Sequence, residues 1–208
     1  MRRFLGLLLV AWLHSPLASY AQEGANDNHQ PQRYKVGDHY KANGLEGVVF
    51  EVDASGQHGK IVSLKESTAR MEWAVNRQDQ KRFIGADSHD DGKANQTVVQ
   101  AISGWQERFP PFVWCADLGK DWYLPSIREL MLFAKHGEVN ATVNRTLEKL
   151  GAKQLAKPGD LRWYWSSTEL PINKKKRIAM VYCIYVSDIY WRSDWKYRHC
   201  YVRAVAQF

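Results

Sequence analysis

Two stretches near the start of the folded part of the chain read as strands. Gly47 to Asp53 and Lys60 to Leu64 are rich in Val, Ile and Phe, and Asp53 to Gly59 between them is a turn cluster of Asp, Ser and Gly. The pair predicts a β-hairpin over about 47–64, with Trp73 packed on it. The middle of the chain is helical in period. Phe83 to Asn95 is a polar loop, Gln96–Ile102 a short helix ended by Ser103-Gly104, and Pro110-Pro111 a break. Phe112 to Leu118 is expected as one helical stretch stopped by Gly119. Trp122-Tyr123-Leu124-Pro125 is extended. Ser126 with Glu129 three residues on is a capping box for a helix that buries Ile127, Leu130, Met131 and Phe133 and runs to about His136. Val139 to Leu150 is a further amphipathic helix with Val139, Val143, Leu147 and Leu150 on one face. After a turn at Lys157–Asp160 the pattern is strand and loop: 162–166, 178–186, 189–191 and 201–208. In the last segment Val202, Ala204 and Ala206 cannot share a face with Tyr201, Arg203 and Val205, and one set is expected to be buried.

The start of the chain has a different character. Arg2 and Arg3 precede the apolar run Phe4 to Leu13, and Ser19-Tyr20-Ala21 supply small residues before a cut. Residues 1–21 therefore read as a secretory signal; the apolar run is too short for a membrane span. Residues 22–32 are polar and aperiodic, a flexible leader. The remainder, 33–208, is long enough for one domain with a sizeable core. The expected location is outside the cytoplasm: periplasm, cell surface or medium.

Charge then singles out the last quarter. The formal net charge is +7. Residues 22–159 hold 18 Lys and Arg against 18 Asp and Glu, whereas residues 160–208 hold 9 against 4. Four Trp and six Tyr fall in the same stretch. Such an asymmetry suits an anionic partner, and it equally suits a strand edge guarded against self-pairing. Cys115, Cys183 and Cys200 are an odd set, so at most one internal bridge can form and the core must provide most of the stability.

Candidate chemistry is sparse. His39, His58, His89, His136 and His199 are isolated among polar neighbours, and no nucleophile–base pair stands out. Neither His-x-x-x-His nor Cys-x-x-Cys occurs, so zinc has no local support. Asp87, Asp90 and Asp91 before Gly92 invite a calcium reading, but the EF-hand spacing puts Val98 where the closing Glu should stand. Turn formation and a helix cap account for those residues more economically. No cofactor is expected, calcium being the one that the loop invites. Trp122, Trp163 and Trp165 are expected in the core, and Ser166-Ser167-Thr168 are expected to satisfy backbone groups at a strand end. The residues expected on the surface are Lys174, Lys175, Lys176, Arg177, Tyr190, Trp191, Arg192, Trp195, Lys196, Tyr197, Arg198 and His199. Cations interleaved with aromatics offer stacking together with charge.

Three blocks, Trp122-Tyr-Leu-Pro-Ser-x-x-Glu-Leu, Tyr164-Trp165-Ser166-Ser167-Thr168-Glu169 and Tyr201-Val202-Arg203-Ala204-Val205, resemble a bacterial exported family named after the C-terminal domain of the Legionella collagen-like protein. The hairpin and the segment from Trp114 to Gly119 are similar to members from Bacteroides-type bacteria. The resemblance implies a C-type-lectin-like α+β fold: a small twisted antiparallel sheet with two to three helices, preceded here by the N-terminal hairpin. It implies binding rather than catalysis. Some members look like the variable proteins of diversity-generating retroelements, whose last segment changes to alter the ligand. Here Tyr182, Ile184, Ser193, Asp194, Tyr197, Arg198 and His199 suit varied positions, and Trp191, Trp195 and Lys196 do not. Many members carry a Cys just after the Val-Arg of the last strand, opposite a helix Cys. That position is Ala204 here, so Cys115 is expected to sit unpaired in a helix as a small apolar residue, and Cys183 and Cys200 are candidates for a bridge across neighbouring strands. The expected function is recognition of a glycan or protein ligand, without catalysis, by the basic–aromatic segment. The alternative is a structural or adhesive surface subunit that acts by self-association; an enzyme of a related fold is the weaker alternative. Nucleic acid fits the same chemistry but not an exported protein.

Overall fold

The computed structural model describes residues 32–157, 160, 162–172 and 192–208 in full, and the strand backbone of 173, 178–185 and 191. The expected signal, the leader up to residue 31, residues 174–177 and residues 186–190 lie outside the described residues. Those that are described belong to one compact unit, Pro31–Phe208. Within it, antiparallel strands and short helices combine in a mixed α and β arrangement.

The hairpin forms where the strand pattern puts it. Strand β1 (His39–Ala42) leads into β2 (Leu45–Val52) and β3 (Gly59–Glu66), all antiparallel. The Asp53 carboxylate closes the β2–β3 turn by accepting from the Ser55 hydroxyl at 2.7 Å and the Gly56 N–H at 2.9 Å. The hairpin is not an appendage. Past β4 (Met71–Glu72) and the helices α1 (Arg77–Lys81), α2 (Gly92–Gln100), α3 (Trp105–Arg108), α4 (Pro110–Ala116), α5 (Ile127–Ala134) and α6 (Glu138–Lys149), the chain enters β5 (Trp163–Asn173), β6 (Ile178–Tyr185), β7 (Trp191–Asp194), β8 (His199–Cys200) and β9 (Arg203–Gln207). The final strand then returns to pair with β3, giving a four-stranded sheet of order β1-β2-β3-β9. A second sheet has order β5-β6-β7, and a two-residue ladder joins β4 to β8.

The four-stranded sheet is a middle layer. On one face Val49, Ile61, Val202, Ala204 and Ala206 pack with Trp73, Phe109 and Phe112. On the other, Val48, Phe50, Val62 and Val205 pack with Ile127, Leu130, Phe133, Val143 and Leu147 of α5 and α6. Both alternate sets of β9 are therefore buried, not one, because helical segments cover both sides. Strands buried on both faces gain apolar burial from every residue.

Local chemistry sets the helix ends. The capping box at Ser126 and Glu129 is formed, and α5 ends at Ala134, two residues before the expected stop. Asp91 caps α2 by accepting from Ala94 N–H, so that helix starts at Gly92 and not at Gln96. The break expected at Pro110 and Pro111 falls at the non-helical Phe109, where α3 ends, and the two prolines form the first turn of α4, where a missing N–H has no helical partner to lose. Leu150 follows α6 and is exposed, unlike Val143 and Leu147 on the expected buried face. Trp122 and Trp165 are buried, and Trp163 is half-buried. Cys115 is buried and unpaired in α4, and burial pushes its thiol pKa up. Cys200 is buried in β8; the Cys183 side chain lies outside the described residues, so the expected Cys183–Cys200 bridge does too.

Candidate functional site

The Ser166-Ser167-Thr168-Glu169 run fixes the second sheet to the rest of the molecule. The β5–β6 register shifts between Trp165 and Glu169, so Ser166, Ser167 and Thr168 leave the ladder and bond to residues outside the sheet instead. The Ser167 N–H donates to the Pro125 carbonyl at 2.8 Å, and its hydroxyl accepts from Asn95 at 2.9 Å. The Thr168 hydroxyl accepts from Ile127 N–H and donates to the Ser88 carbonyl. The Ser166 carbonyl accepts from the Trp73 indole N–H at 3.0 Å.

Glu169 completes the run. It is fully buried and accepts from three successive backbone N–H groups, those of Ile84, Gly85 and Ala86, at 2.8 to 3.1 Å. Gly85 has φ of 97°, which lets the three amides converge as a nest around the anion. The remaining donor is Lys196.

Lys196 was expected on the binding surface, and the structure corrects this. It is 0% exposed. Its ammonium donates to Glu169 and to the carbonyls of Asp79 at 3.2 Å and Arg82 at 2.7 Å, and lies 4.5 Å from the Trp73 ring centroid. Three acceptors match the three protons of an ammonium, which is why a buried lysine is tolerated here. Burial pulls its pKa below the usual lysine value, against the opposing pull of Glu169.

The same lysine pins a tight turn. The Arg198 N–H donates to the Trp195 carbonyl at 2.9 Å, and the Lys196 carbonyl accepts from Trp73 N–H at 2.9 Å. Trp195 is half-buried and Tyr197 is 43% exposed, their rings parallel at 7° with centroids 6.4 Å apart. Asp194 organises the cations beside them: it holds Arg192 at 2.9 Å and Arg198 at 3.5 Å, and accepts from Trp195 N–H at 2.8 Å. The Arg192 guanidinium lies 3.9 Å over the Trp163 ring, and that of Arg198 5.7 Å from the Tyr197 ring centroid. His199 is exposed in β8 next to this group.

The structure thus brings together Arg192, Trp195, Tyr197, Arg198 and His199 of the expected surface. Trp191 begins β7 and faces Ile184 in register. The side chain of Trp191, together with Lys174, Lys175, Lys176, Arg177 and Tyr190, lies outside the described residues. Sequence reasoning missed Trp163 as a platform for Arg192, Asp194 as the organiser and Glu169 as the anchor. The signal for Lys196 was its place between two aromatics in an alternating run.

Two of the acidic loop residues have other partners. Asp91 is a helix cap, and Asp90 pairs with Arg128 at 2.6 Å. Among the described residues no group of three or more His, Cys, Asp and Glu is gathered as a metal site, and no helix is long and apolar enough to cross a membrane.

The fold is similar to that of a fimbrial protein from Bacteroides ovatus, with a TM-score of 0.56 and 19% sequence identity. The match covers 84% of this chain and 49% of that one, so this chain spans about half the length of the protein it resembles. At that identity the likeness concerns the fold. No family model matches the chain, and no curated protein does.

Proposed function

We propose that this protein is a non-enzymatic recognition module of C-type-lectin-like fold that acts at the cell envelope or outside the cell. It binds a glycan or a protein ligand through the turn and strand from Arg192 to His199. One observation carries the reading: a parallel pair of a half-buried Trp195 and an exposed Tyr197 on a turn whose intervening lysine is locked in the core. Exposed aromatics are ordinarily mobile, and fixing them beforehand lowers the entropy lost on binding. Tyr and Trp also give large contact area for few rotatable bonds. Arg192 and Arg198 add charge, and Asp194 holds both in place.

The experiment is a glycan array with the full chain, followed by titration of the best ligand. Trp195→Ala and Tyr197→Ala should weaken binding at least tenfold at any salt concentration. Arg192→Ala with Arg198→Ala should weaken binding of an anionic ligand most strongly at low salt, since exposed charges are screened over roughly 10 Å at 0.1 M. Unchanged binding by folded variants of both classes would overturn the reading.

The likeness in fold to a fimbrial protein favours a second reading, a structural or adhesive surface subunit that associates with itself through this segment. Sedimentation of the protein without ligand separates the two. A concentration-dependent oligomer broken by Tyr197→Ala supports self-association, and a monomer at all concentrations supports ligand recognition.

A further inference from the structure

Away from the Arg192–His199 turn, three depressions of about 250, 590 and 370 Å3 adjoin along the end of β3. The first two share Leu64, Lys65 and Leu118; the second and third share Glu66, Thr68 and Lys153. Together they form one elongated groove. It follows a real irregularity in the sheet: β3 and β9 pair as far as Val62 with Val205, lose register, and pair again at Glu66 with Arg203. The groove passes Trp122 and Trp114 and ends at Tyr201 and Arg162.

The charges lining it are uneven in one respect. Its acids are already engaged. Glu46 holds Lys41 at 3.2 Å and His39 at 3.1 Å, and Glu66 holds Arg162 at 3.0 Å and accepts from the Tyr164 hydroxyl. Its exposed cations are not: Lys65 and Lys153 have no acidic partner among the described residues. Beneath them lies a further cation. Arg203 is fully buried, and its guanidinium donates to the carbonyls of Lys153 at 2.9 Å and Leu64 at 3.5 Å, both groove residues. Its Nε–H finds no acceptor. Its charge is partly balanced by Glu66 at 3.8 Å, so Lys65 and Lys153 are the cations left for a ligand.

We propose that this groove binds a run of an anionic polysaccharide, a chain of pyranose units bearing carboxylate or sulfate. The elongated shape suits a chain rather than a compact ligand. Trp114 and Tyr201, half-buried in the groove wall, suit contact with sugar rings, and Lys65 and Lys153 suit the acidic substituents. The groove and the Arg192–His199 turn share no residue, so the proposal does not rest on the function assigned to that turn.

The test is calorimetric titration of the full chain with three hexasaccharides. Oligogalacturonate carries carboxylates, a heparin hexasaccharide adds sulfates, and maltohexaose is neutral. One or both of the anionic probes should bind and maltohexaose should not; the stronger of the two identifies the acidic group. Lys65→Glu with Lys153→Glu should weaken that binding more than tenfold, and Trp114→Ala likewise, while Arg198→Ala leaves it unchanged. Both lysines are exposed, so melting temperature should hold; if the double Glu variant does not fold, Lys65→Gln with Lys153→Gln is the substitute. Binding that survives loss of both lysines overturns the proposal, as does equal binding of maltohexaose or failure of both anionic probes to bind. Competition by poly-glutamate, with the same dependence on both lysines, would instead make the groove an acidic-peptide site and overturn the glycan assignment.

Discussion

Two buried carboxylates tie distant parts of this molecule together, and they do so differently. Glu169 meets three backbone amides and one lysine, and Lys196 meets three acceptors, so every donor and acceptor in that cluster has a partner. Glu66 meets Arg162 and Tyr164 and has Arg203 at 3.8 Å, but Arg203 keeps one N–H with no acceptor. Burial lowers the Arg203 pKa to about 10, while its neighbours Tyr164 and Glu66 oppose that shift. The first cluster is closed, and it rigidifies the turn that presents Trp195 and Tyr197. The second is incomplete and borders an open groove. The comparison separates polar burial whose hydrogen bonds are all made from polar burial that leaves one donor unmet.

Variants can break that contrast, and the largest effect is expected at the closed cluster. Lys196→Ala leaves Glu169 buried without its cation, so unfolding should become easier by about 3–5 kcal/mol in urea melts. Glu169→Gln with Lys196→Met removes both charges at similar volume. It should cost less than the two single changes added together, and additive single changes would show that the pair is not coupled. Next, Arg203→Met empties the incomplete cluster of its orphan donor. Its loss should be smaller than that of Lys196→Ala, because the lost hydrogen bonds are offset by relief of the unmet N–H; an equal loss would erase the contrast. Tyr197→Ala should change stability by under about 0.5 kcal/mol while weakening ligand binding, since its ring is exposed and outside both clusters. Smallest of all, Cys115 should resist alkylation by iodoacetamide in the folded protein at pH 8, because burial suppresses its thiolate. Mass spectrometry before and after denaturation checks this.

What the sequence revealed divides along the same line. The capping box at Ser126 and Glu129 was legible because both partners lie within one helical turn. The hairpin was legible from its turn residues. The roles of Ser166, Ser167 and Thr168 in satisfying backbone groups were legible in kind, but not their partners, which come from the loops around Ser88 and Pro125 and from the side chain of Asn95. Lys196 was misread because composition places a lysine among aromatics on the surface. Its acceptors, Glu169 and the carbonyls of Asp79 and Arg82, are brought to it only by tertiary packing. The burial of both faces of β9 was hidden for the same reason: period-two alternation shows that two faces exist but not what covers each. The C-terminal aromatics divided as well, with Trp165 in the core, Trp163 beneath an arginine, and Trp195 half-buried against Tyr197.

The pairing of β9 with β3 has a kinetic side. Val205 lies opposite Val62, and Gln207 opposite Lys60, so the central layer closes only when segments far apart in sequence meet. Contacts of such separation pay the entropy of closing a long loop before any apolar gain is returned, and chains dominated by them fold slowly. Neither hydrophobic cluster is whole until that happens, since Val202, Ala204 and Ala206 belong to one and Val205 to the other. Residues 203–207 therefore act as a latch: until they arrive both clusters lack strand residues that complete them, and refolding should show one slow phase to which both halves of the core report together.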